Sequence, residues 1–153
     1  MGHRDIKNRI LEEKNSSAQV VQQILSEKNL DEERFSSLFR SYLCAKFLLE
    51  PDEITADNFY EICRISAEKT AARLRGQPDA ARAATDANCS GATTAMSKKV
   101  LFLMAVEREY GISLSPEESA AVDTWGDLCR LVYGKLMEKR SRSGVEADGS
   151  AGE

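Results

Sequence analysis

The sequence is poor in the residue types on which most catalytic chemistry depends. Its 153 residues include one histidine, one tryptophan and three prolines. The histidine, His3, has no ligand or nucleophile beside it and reads as an exposed terminal side chain. A Ser-His or Cys-His pair would have to be built on that one residue, so nucleophilic hydrolysis is not expected and the chain reads as no enzyme. Glycine-rich phosphate loops, HExxH and EF-hand spacings are all missing. Cys44, Cys63, Cys89 and Cys129 lie far apart and form no CxxC pair. That argues against a zinc site or disulfide frame and for reduced thiols in a cytoplasmic protein. No apolar run approaches the roughly 20 residues that span a bilayer, and the charged N-terminus lacks the apolar core of a secretory signal. The net charge of −4 comes without a clustered basic face, which excludes a nucleic-acid footprint. Strand-like alternation and fixed-period repeats are absent too.

What is present is helical periodicity, in a composition of 42% apolar and 30% charged residues that suits a soluble globular protein. Ile6 and Ile10 mark a short charged segment. Ser16 or Ser17 can cap a second, carrying Val20, Val21, Ile24 and Leu25. Asp31 can cap a third, with Phe35, Leu38, Phe39, Tyr42, Leu43, Phe47 and Leu48 at helical spacing; this is the most apolar helix and should be central. Pro51 is expected to end it. Thr55 or Asp57 should start a fourth helix with Phe59, Ile62, Cys63, Ile65 and Leu74, closing near Gly76. An Ala-rich stretch from Asp79 then gives way to a polar loop around Cys89. From Thr94, an apolar stripe of Val100, Leu103, Met104, Val106 and Tyr110 predicts a helix closed by Gly111. Ser115-Pro116-Glu117-Glu118 combines N-cap, first-turn proline and capping box. Thr124-Trp125-Gly126-Asp127 starts a last helix with Leu128, Leu131, Val132 and Leu136. The fold class is all-α. Residues 1–52 read as an N-terminal helical extension and 53–140 as the bundle. Residues 141–153, which have little to bury, read as a disordered tail.

The segment from Met96 to Lys139 resembles the second half of the acyl and peptidyl carrier proteins. Leu103 to Ile112 is similar to the end of their helix II, Leu114 to Ala121 to their loop and short third helix, and Val122 to Leu128 to the Thr-x-x-Asp-Leu start of their fourth. The resemblance implies a helical bundle and, as cofactor, phosphopantetheine on a serine at the start of helix II. That serine lies fourteen residues before the exit aromatic, and counting back from Tyr110 gives Met96. Methionine cannot take the group; Ser97 next to it has a hydroxyl that could, in the register of the family's buried leucine. Lys98 and Lys99 stand where the family presents acids to its partner enzymes, implying a changed partner surface. Cys89, in a polar loop near these lysines, could carry an acyl group on its own thiol.

The chain therefore reads as a divergent carrier-like protein, a docking or accessory module for a protein partner and without phosphopantetheine. It is similar in this to carrier-related proteins of peptide maturation systems that lack the serine. The alternatives are a working acyl or aminoacyl carrier modified at Ser97, and a helical interaction domain unrelated to carriers.

Overall fold

The computed structural model describes residues 16–75 and 93–152, without the side chains of 74 and 143–152. Among the described residues the protein is all-α, and its only extended pairing is an isolated bridge between Asn58 and Thr124. Helix α1 covers 16–26 and α2 runs Glu32–Phe47. A 3-10 turn at Pro51–Glu53 leads to α3, Phe59–Leu74. Then come α4, Ala95–Tyr110, α5, Pro116–Ala121, and α6, Trp125–Gly152. Ile6, Ile10 and the segment around Cys89 lie outside the described residues.

Polar side chains start most of these helices by accepting hydrogen bonds from otherwise orphaned amides. The Asp31 carboxylate accepts from Arg34 N–H at 2.7 Å and opens α2. Asn58, rather than Thr55 or Asp57, caps α3 by accepting from Glu61 N–H at 2.9 Å. Ser115 and Glu118 close the expected capping box on α5, at 3.0 and 2.9 Å. Thr124 and Asp127 build a similar reciprocal start to α6, at 3.0 and 3.1 Å. The first residues of α3 and α6 are also tied across the bridge. Phe59 N–H donates to Asp123 O at 2.8 Å, and Trp125 N–H donates to Asp57 O at 2.7 Å. Each helix start thus receives a carbonyl from the other.

Pro51 does not end α2. Leu48 does, in the left-handed region with φ 55°, while Leu49 N–H donates back to Cys44 O at 3.0 Å. A leucine there is strained by about 1–2 kcal/mol. Both Leu48 and Leu49 are buried, and that offsets the strain. Pro51 instead starts the 3-10 turn.

As expected, α2 is the centre of the core: Phe35, Leu38, Phe39, Tyr42, Leu43, Phe47 and Leu48 are all buried. The Phe39 ring lies 4.9 Å from Phe35, 5.0 Å from Trp125 and 5.7 Å from Tyr110. Such ring pairs add about 0.5–1.5 kcal/mol each beyond the area they bury. One apolar cluster runs from Val21 through α2 and α3 to Leu136, so residues 16–52 share the core of the later helices.

Among the described helices the most extensive backbone packing is between α3 and α4, with α2 against α6 next. The later part of α6 clasps two helix ends. Arg140 donates to Glu27 O at 2.8 Å and Ile24 O at 2.7 Å, capping α1. Lys139 donates to Tyr110 O at 3.3 Å, at the end of α4. Gly111 follows with φ 68°, and a Cβ there would stand 2.5 Å from the Lys139 ammonium. Helix α6 then runs to Gly152.

Candidate functional site

The residues singled out by the carrier resemblance fall on the first two turns of α4. Thr94 is the N-cap: its hydroxyl accepts from Ser97 N–H at 3.2 Å and donates to Ser97 Oγ at 2.8 Å. Ser97 is exposed, so the hydroxyl faces solvent beside the positive end of the helix. It is not turned toward the core. Met96, at the position the resemblance assigns to the attachment serine, is 58% exposed.

Lys98 corrects the expectation of a lysine pair on a partner surface. It is 0% exposed, and its Nζ donates to Thr70 Oγ1 on α3 at 3.1 Å. The ammonium also lies 5.5 Å from the centre of the Phe47 ring, within range of a cation–π contact. The reason is register. Lys98 is four residues before Phe102 and seven before Ala105, both buried, and so shares their face of the helix. Lys99, half-buried, remains at the edge of the outer face.

The apolar stripe on α4 is also phased differently. Phe102, Leu103, Ala105, Val106 and Tyr110 are buried with Lys98. Val100 and Met104, expected inside, are 46% and 52% exposed. With Met96 they form a row at four-residue spacing along the outer face, a single ridge of neighbouring apolar side chains. The helix carries more apolar residues than one face can bury. The surplus was readable in its composition; the side it would occupy required knowing that Lys98 is inside.

The remaining thiols offer little chemistry. Cys44, Cys63 and Cys129 are reduced, and Cys63 and Cys129 are buried. Burial pushes the Cys129 thiol up to about 11 and raises Cys44 as well, which disfavours the reactive thiolate. Cys89 lies outside the described residues. Among the described residues no group of three or more His, Cys, Asp or Glu side chains is placed to hold a metal ion. Nor is any described helix long and apolar enough to cross a membrane.

Elsewhere three ion pairs tie elements together. Lys46 and Glu109 pair at 3.0 Å between α2 and α4, and Lys135 and Glu118 at 2.8 Å between α6 and α5. Lys69 on α3 pairs with Glu53 of the 3-10 turn. The outer face of α4 is therefore the place where apolar groups meet solvent in a row. No protein-family profile, curated protein or solved structure matches the chain.

Proposed function

We propose that this protein is a non-catalytic, carrier-like scaffold. On this reading it acts as a docking or accessory module for a partner protein in a biosynthetic or peptide-modifying pathway, without phosphopantetheine. The observation that carries the reading is the outer row of α4, Met96, Val100 and Met104. It puts a methionine at the exposed first turn where the carrier chemistry needs a hydroxyl, and continues it as an apolar contact surface. A contiguous row differs from the scattered apolar residues of an ordinary surface and supports reading this face as an interaction site. The order of the described elements supports the same reading: α3, then α4, the short α5 and α6.

A second reading, a working carrier loaded at Ser97, draws support from the exposure of that hydroxyl at the helix N-terminus. One experiment separates the two. The full chain is incubated with coenzyme A and a promiscuous phosphopantetheinyl transferase, and its intact mass is taken. The docking reading expects an unchanged mass. A gain of one phosphopantetheine that disappears in Ser97→Ala would overturn it in favour of the loaded carrier.

A further inference from the structure

The outer face of α4 is apolar in the middle and electrically lopsided at its start. In α2 the first turn carries Glu32 and Glu33, in α3 Glu61, in α5 Glu117 and Glu118, and in α6 Asp127. Acids at these positions offset the positive end of the helix. The first turn of α4 carries none. The sequence has no Asp or Glu anywhere from Ala87 to Val106, although acids outnumber bases in the chain as a whole. At the far end of the helix the carboxylates are already engaged. Glu107 accepts from Leu114 N–H at 2.9 Å, and Glu109 pairs with Lys46 at 3.0 Å.

We infer that the Met96–Val100–Met104 row docks an amphipathic helix of another protein, one that brings acidic side chains to the first turn of α4. This deepens the docking reading and rests on it. Three half-exposed side chains at i, i+4 and i+8 form the kind of ridge that packs into the groove between side chains of another helix. Two of the three are methionines, whose flexible thioethers adapt to varied apolar partners. The apolar row supplies the contact area. With no acid in its own first turn and Lys99 at its edge, the start of α4 favours negative charge on whatever lies across it. A second copy seated α4 against α4 is a poor match, because the acids of that helix, Glu107 and Glu109, are held by internal partners.

The test uses the full chain labelled on its methionine methyl groups, with Met137 on α6 as internal reference. It is titrated with two synthetic amphipathic helical peptides that share one apolar face and differ in flanking glutamates or lysines. The glutamate peptide is expected to shift the Met96 and Met104 methyl resonances and leave Met137 in place. It should bind on the order of ten-fold more tightly than the lysine peptide at low salt, with the gap closing at about 0.5 M salt. Met104→Glu should remove the response, while Leu25→Glu, at an exposed apolar site on α1, should keep it. The inference is overturned if the lysine peptide binds as well or better, or if neither peptide moves the two methyl groups. It is also overturned if concentrating the protein alone moves them, since the occupant would then be a second copy. The transferase experiment fails separately: a mass gain at Ser97 sinks the docking reading whatever the peptides do. A lost charge preference with Ser97 unmodified overturns this inference and leaves the docking reading standing.

Discussion

Lys98 shows how far a residue's role depends on the face it occupies. Two adjacent lysines at a helix start suggest a solvated patch, yet one is buried against Phe47 and Thr70 while the other stays at the surface edge. The buried stem fills core volume, and the ammonium has Thr70 as a hydrogen-bonding partner. Replacing Lys98 with alanine should therefore behave as a core truncation and cost about 2–4 kcal/mol of unfolding free energy. Lys99→Ala should stay within about 0.5 kcal/mol, as surface changes do. Equal, small losses for both in urea titrations would show that Lys98 is not part of the core. The sequence held half of this answer. The spacing of Lys98 to Phe102 and Ala105 puts the three on one face, but a lysine is so seldom fully buried that charge outweighs register on a first reading.

At the scale of elements, helix starts were easier to read than helix ends. Asp31, Thr94, Ser115 and Thr124 each cap by a short-range bond between a side chain and an amide within three residues, which a sequence displays directly. The start of α3 was displaced only because Thr55, Asp57 and Asn58 are all competent caps close together. Ends depend on distant partners. Leu48 accepts a left-handed backbone because the core takes its side chain. The carbonyls at the end of α1 are satisfied by Arg140, a guanidinium more than a hundred residues away in sequence. Arg140→Ala should leave those carbonyls dependent on water and destabilise the fold by about 1–3 kcal/mol. Amide hydrogen exchange should speed up in 16–26 more than in α3. Arg140→Lys should restore little of the protection, since an ammonium cannot present the planar fork that reaches Ile24 and Glu27 together. Uniform acceleration across all helices would show that Arg140 does not secure α1 in particular.

For the molecule as a whole, the carboxylates that cap and brace the helices set the response to acid. The amide N–H groups of Thr124 and Asp123 hold the Asp127 carboxyl below its ordinary value. The Lys135 ammonium and the Ser115 amide do the same for Glu118, and the Glu50 amide with Lys69 for Glu53. A carboxyl lowered in the folded state favours folding at pH values above the unfolded pKa. That contribution disappears as pH falls through the folded value. Stability to urea should therefore be level near neutrality and decline below about pH 4. A Glu53→Gln, Glu118→Gln, Asp127→Asn protein should start from a lower plateau and decline less steeply. An unchanged acid slope would show that these groups do not govern it. The all-α class and the central place of α2 were legible because they follow from periodicity. That residues 16–52 belong to one core with α6 was not, because nothing local in the sequence links Phe39 to Trp125.

The Arg140 clasp also has a consequence for the order of events during synthesis. Residues 16–26 leave the ribosome long before Arg140 is added, and the bonds that finish α1 span 113 and 116 positions of chain. Contacts of such separation come late because loop closure must precede them. The earliest described helix to be made is thus among the last to be secured. Until then its apolar side, Val21 and Ile24, must wait for the rest of the core or be sheltered by something else.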